Sequence, residues 1–187
     1  MTSDSSGVFS PYQIWLTLEH TSPEGKIQIE DVPVTINLRP HIQECLEACS
    51  TRYQIGVFTA SSQDYADQVI DLIDPTHKLI QFRLYRQHCV QTPDGHYIKD
   101  LRVIRNRSLT DMLLVDNSVH SFGFQLDNGV PIIPFFDDQT DQELLHLSNY
   151  VLARVDSDDL RPANAATFQL AELQKADLKS ALVQFSL

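Results

Sequence analysis

Two tripeptides and one lysine carry most of what this chain offers for chemistry. Thr59-Ala60-Ser61 closes the apolar run Ile55-Gly56-Val57-Phe58 and precedes a segment of helical spacing. A hydroxyl and free backbone N–H groups would then gather at the mouth of a helix, where they can cradle an anion. The same residue types also cap helices without further duty, and both readings stay open. Asp116-Asn117-Ser118 ends a second apolar run, Met112-Leu113-Leu114-Val115. An acid and an amide oxygen beyond a buried strand suit a hard cation such as Mg²⁺, and an Asp-Asn turn capping the next helix fits equally well. Lys99 opens a basic set with Arg102, Arg105 and Arg107, cations that can either hold a phosphate locally or face solvent. Asp156-Ser157-Asp158 has Asp-x-Asp spacing but follows the end of an amphipathic helix, Leu152-Ala153-Arg154-Val155, not a buried strand, and is set aside.

These residues need a scaffold, and the hydrophobic pattern supplies one. Residues 12–19 alternate Ile14, Leu16 and Leu18 with Gln13, Trp15 and Thr17, a half-buried strand pattern. A Ser22-Pro23-Glu24-Gly25 turn and a second alternating run over 27–38, interrupted at Pro33, predict an antiparallel hairpin with it. Helices are predicted over 40–50, with Pro40 in the first turn, and from Tyr65 to a stop before Pro75. Thr92-Pro93-Asp94-Gly95 predicts the turn of a small hairpin within 82–98. The unalternating run 112–115 reads as a strand buried on both faces, and 130–133 as another. Residues 140–155 predict an amphipathic helix with Thr140 as N-cap and Glu143 completing a capping box, and 163–182 a C-terminal helix. Short buried strands interleaved with helices imply the α/β class, a mostly parallel sheet covered on both faces. Ligands of such sheets sit beyond the carboxyl ends of the strands, where Thr59 and Asp116 stand.

Composition narrows the field. The chain has 187 residues, enough for one domain with a sizeable core. Its balance of 14 Lys and Arg against 25 Asp and Glu, a net charge of −11, disfavours direct binding to nucleic acid or to anionic lipid. Cys45, Cys49 and Cys89 include no Cys-x-x-Cys, so buried or half-buried thiols are expected and not a zinc ribbon or a disulfide framework. No apolar run is long enough to cross a membrane, and the Ser-rich start lacks the regions of a signal peptide.

Taken in chain order, Phe58-Thr59-Ala60-Ser61, Tyr97-Ile98-Lys99-Asp100-Leu101 and Leu114-Val115-Asp116-Asn117-Ser118 resemble the protein Ser/Thr phosphatases that act on the RNA polymerase II C-terminal domain. These are the Fcp/Scp, NIF-type branch of the haloacid dehalogenase superfamily. The likeness extends through Leu38-Arg39-Pro40-His41, Tyr65-Ala66-Asp67, Leu84-Tyr85-Arg86-Gln87-His88-Cys89-Val90 and Phe135-Phe136-Asp137-Asp138-Gln139-Thr140, and covers about residues 12–159. It implies a Rossmannoid parallel sheet with a small hairpin insertion at 86–97 framing the cleft. It implies that Thr59 and Lys99 hold phosphate, that Asn117 is a Mg²⁺ ligand, that Ser61 and Asp116 support them, and that the partner is a phosphorylated protein or peptide. Residues 1–11 would be a disordered lead, 12–160 the phosphatase-like domain and 161–187 a helical tail.

Family members attack phosphorus with the first Asp of an Asp-x-Asp-x-Thr motif that ends the central strand, and use the second as acid and base. No such motif occurs in this sequence, and Ser3-Asp4-Ser5 does not replace it. Aligned on residues 12–19, the motif is expected just upstream of Met1, with the central strand missing and the chain truncated and inactive. The alternative is a catalytically dead binding or receptor module, as the presequence receptor of the mitochondrial inner-membrane translocase is within the same branch. The expected location is nuclear or cytoplasmic, or mitochondrial if a leader precedes Met1.

Overall fold

The computed structural model describes residues 13–16, 25–29 and 32–175. Its elements are β1 (Gln13–Leu16), β2 (Gly25–Ile29), β3 (Val32–Ile36), α1 (Ile42–Ser50), β4 (Gln54–Phe58), α2 (Gln63–Ile73), β5 (Ile80–Leu84), β6 (Val90–Gln91), β7 (Tyr97–Ile98), β8 (Met112–Asp116), β9 (Gly129–Pro131), α3 (Glu143–Leu152) and α4 (Arg161–Phe168). Five strands form one parallel sheet in the order β5-β4-β1-β8-β9. Every residue of β4 and β8 is buried, as continuous apolar runs require.

The α/β class and the small β6–β7 hairpin follow the sequence reading, but two expectations are corrected. The described part of residues 12–19, β1, does not pair with 27–38. That second run itself folds into the antiparallel pair β2–β3, a separate two-stranded sheet. Nor is the central strand missing: β1 lies between β4 and β8 and pairs with both in parallel, Leu16 level with Val57 on one side and Val115 on the other. Trp15 explains the misreading. Counted among the polar positions of the alternation, it is only 2% exposed, so β1 buries a face that a half-exposed hairpin strand would show to water.

The sheet separates two apolar layers. Leu46, Val69, Ile70, Leu147 and Val151 of α1, α2 and α3 pack on Ile55, Val57, Leu113 and Val115. On the other side Trp15, Phe58, Met112 and Leu114 meet Leu101 and Phe122, which belong to short 3-10 turns, and Leu170. Cys45 and Cys49 are buried in the helical layer, where the neighbouring Cys49 thiol and burial both push the Cys45 thiol up. The expected Thr140 capping box does not form. Thr140 bonds instead to Asp138 Oδ1 through its N–H (2.8 Å) and hydroxyl (2.7 Å), and α3 begins at Glu143, whose N–H donates to Asp141 Oδ1 at 3.0 Å. At the C-terminus α4 ends at Phe168 because Gln169 turns left-handed (φ 51°), and the rest of the predicted helix beyond 175 lies outside the described residues.

Gly56 is where β1 and β4 constrain each other most. A Cβ there would meet Trp15 Cζ3 at 2.4 Å, so the indole occupies the space of a missing side chain. Gly56→Ala should therefore cost about 1–3 kcal/mol by overpacking, with Trp15→Leu in the same chain recovering part of it; urea melts of the two variants decide this.

Asp74 ties α2 to β5. Its carboxylate accepts the N–H groups of Lys78, Leu79 and Ile80 at 3.2, 2.8 and 2.9 Å and the Thr76 hydroxyl at 3.2 Å. Burial pushes this carboxyl up, but the hydrogen bonds outweigh burial and hold it below the usual range. A carboxyl whose folded pKa is depressed stabilises the fold above its unfolded value, near pH 4, and loses that contribution as pH falls through the lower folded value. Asp74→Asn should lower neutral stability by about 1–3 kcal/mol and flatten the acid limb of a stability–pH curve below about pH 4.

Candidate functional site

The carboxyl edge of the sheet collects the residues that the sequence singled out. Because Leu16 is level with both Val57 and Val115, Thr59 and Asn117 each stand two residues beyond a common level. They flank the line of β1 at a separation of about two strand spacings, roughly 10 Å. Thr59 is 1% exposed, and its N–H donates to the Leu84 carbonyl of β5 at 2.9 Å. Its Oγ1 accepts the Ser61 N–H at 3.1 Å, a local turn that fixes the hydroxyl. Thr59 does not cap α2, since Ser62 holds that position.

Lys99 comes in from the far side of the β6–β7 hairpin. Its N–H donates to Ser121 O at 3.1 Å, and its side chain, 3% exposed, runs to the end of β8. There its Nζ donates to Asp116 Oδ2, while Asp116 Oδ1 accepts the Ser118 N–H at 2.8 Å. Asp116 thus holds a buried ammonium. Cys89 joins the two halves. Its Sγ–H donates to the Thr59 carbonyl at 3.7 Å, and its thiol is pushed up by burial, with Lys99 and Asp116 acting on it in opposite directions. Thr59, Lys99 and Asp116 therefore share one neighbourhood.

The hairpin that walls this neighbourhood is held at both ends. At its tip Gly95 takes φ 91°, a conformation that favours glycine, and its N–H donates to Thr92 O at 2.9 Å. At its base Arg86 Nε donates to the Ala60 carbonyl at 2.6 Å, and the guanidinium lies 5.8 Å from the Tyr97 ring centroid. His96 of the hairpin stacks on His120 beside β8, with centroids 4.0 Å apart.

The basic set does not form a single cluster. Lys99 is in the buried pair, Arg102 forks onto Asp100 at 2.7–3.1 Å, and Arg105 and Arg107 line a hollow at the opposite end of the strands with Gln54. The described residues also fit Mg²⁺ poorly. Asn117 offers one neutral oxygen from an exposed side chain, both Asp116 oxygens already accept donors, and no group of three His, Cys, Asp or Glu converges among the described residues.

The central position of β1 bears on the Asp-x-Asp-x-Thr motif. In the family the Asp-x-Asp-x-Thr motif ends the central strand, and here the chain continues from Leu16 as Thr17-Leu18-Glu19-His20-Thr21. The residues that follow β1, Thr17, Glu19 and Thr21 among them, lie outside the described residues.

Comparison with known proteins agrees with this geometry. The family model described as NLI interacting factor-like phosphatase matches residues 16–161. CTD small phosphatase-like protein 2 of Dictyostelium discoideum is 42% identical over 135 residues, 72% of this chain and 23% of that protein. CTD nuclear envelope phosphatase 1B of Danio rerio is 38% identical over 124 residues, 65% of this chain and 50% of that one. The chain thus spans half or less of the length of these relatives. Among solved structures, the RNA polymerase II CTD phosphatase Fcp1 of fission yeast bound to beryllium fluoride superimposes with a TM-score of 0.55 at 16% identity, over 91% of this chain and 56% of that one, which is a likeness of fold. With the match running from the last residue of the central strand to the start of α4, the chain belongs to the NLI interacting factor-like phosphatase family, of haloacid dehalogenase type.

Proposed function

We propose that this domain binds phosphoserine or phosphothreonine in a peptide and does not turn it over. The single observation that supports the reading is the central place of β1, after which we take Thr17, Glu19 and Thr21 as the motif positions. A threonine hydroxyl is neutral at physiological pH and carries neither the charge nor the nucleophilicity of a carboxylate. Losing the nucleophile of such a machine costs on the order of 10⁶ in rate, and Glu19 in place of the second acid does not restore it.

What remains is suited to binding. The Thr59 hydroxyl and the Lys99 ammonium are donors for phosphate oxygens, with Asp116 holding Lys99 and Ser61 holding Thr59. The names of the relatives, CTD phosphatases, support a phosphorylated protein segment as ligand. Relatives named nuclear envelope phosphatases support a nuclear setting. No helix among the described residues is long and apolar enough to cross a membrane. Mg²⁺ enters no step of this reading, because the described donor set does not fit it.

Calorimetry with a phosphoserine peptide and its unphosphorylated twin tests the proposal. Binding is expected for the first only, without added metal, and Thr59→Ala should weaken it about tenfold, the worth of one charge-assisted hydrogen bond. Equal binding of both peptides would remove the phosphate site from the account.

A further inference from the structure

At the amino end of the strands, away from Thr59, lies an open hollow of about 400 Å³. Trp15 and Phe82 form an aromatic wall to it, their rings 6.1 Å apart, and Gln54 sits at the base. The opposite wall is the loop carrying Ile104, Arg105, Asn106 and Arg107, shaped by a left-handed Asn106 (φ 66°). None of the described residues lining it is acidic, in a chain with 25 Asp and Glu.

The donors of its lining differ in what they can reach. Trp15 is 2% exposed, yet its Nε1 has no hydrogen-bond partner. The benzo edge of the indole faces Gly56, so Nε1, on the opposite edge, is turned away from β4. Nε1 is also closed to solvent, so the hollow meets the indole ring and not this N–H. Arg105 is exposed and has no ion pair or hydrogen bond among the described residues. Arg107 is half-buried, and its Nη2 donates to Gln54 Oε1 at 2.6 Å, which holds the guanidinium in place.

We infer that this hollow is a second anion site, for a phosphate monoester, independent of the one at Thr59. Two guanidinium groups on one loop match tetrahedral oxygens better than a single carboxylate. The aromatic wall accommodates the apolar body that carries the phosphate. From Gln54 to Thr59 the strand spans roughly 16 Å, so one small phosphate cannot occupy both sites.

Trp15 is the single tryptophan of the chain, which makes its fluorescence a reporter of this hollow. Full-length protein would be titrated at constant ionic strength with inorganic phosphate and, separately, with a phosphoserine peptide. A saturable change with either probe is expected, weakened at least tenfold by Arg105→Ala and partly restored by Arg105→Lys. Tighter response to the peptide assigns the site to a phosphorylated chain, and equal response assigns it to free phosphate. Thr59→Ala should leave the Trp15 response unchanged while weakening calorimetric peptide binding, which separates the two sites. No saturable response to either probe, or a full response in Arg105→Ala, overturns the inference.

Discussion

Thr17→Asp with Glu19→Asp should convert an inert protein into a phosphatase. The double variant regains Asp-x-Asp-x-Thr spacing directly after the central strand, between the strands that deliver Thr59 and Asn117. Hydrolysis of p-nitrophenyl phosphate in the presence of Mg²⁺ is expected to rise by about 10²-fold or more over the unmodified chain, with Thr17→Asp alone giving less because the acid and base role is still filled by the longer Glu19. The unmodified chain should show no metal-dependent turnover. A double variant that folds and binds phosphopeptide yet stays inert would mean that Thr17 does not occupy the nucleophile position.

The second large effect concerns the ion pair at the base of the site. Lys99 and Asp116 have side chains 3% and 1% exposed, so neither charge is well solvated. Lys99→Met removes the cation and leaves Asp116 buried, which should cost about 3–5 kcal/mol and lower the melting temperature by about 10 °C or more. Adding Asp116→Asn removes the orphaned charge while still accepting the Ser118 N–H, and should recover most of the stability. Phosphopeptide binding should remain lost in both variants. Recovery of binding along with stability would assign Lys99 a structural role only.

The residues legible in the sequence were those whose chemistry follows an uninterrupted buried strand. Thr59 comes directly after β4 and Asp116 closes β8, strands whose four-residue apolar runs have no competing reading. Lys99 was legible through its motif, although its burial against Asp116 could not be read from a basic stretch that also holds three arginines. β1 was misread because alternation is a local signal, whereas the position of a strand in a parallel sheet is decided by long-range pairing. A tryptophan over a glycine 41 residues later in the chain fills the same space as two ordinary core residues, and no periodicity reveals that exchange. From the misplacement of β1 followed the expectation of a missing strand. β5 was similarly faint: only Ile80 of its five residues is fully buried, as an edge strand permits.

The central claim, a phosphate cradle kept while the nucleophilic carboxylate is replaced, is tested most directly by ³¹P NMR of the unmodified protein mixed with a stoichiometric phosphoserine peptide and Mg²⁺. The account predicts a shifted phosphomonoester resonance that disappears in Thr59→Ala with Lys99→Met, and no growth of inorganic phosphate over the lifetime of the sample. Steady release of inorganic phosphate through many turnovers by the unmodified chain would contradict it.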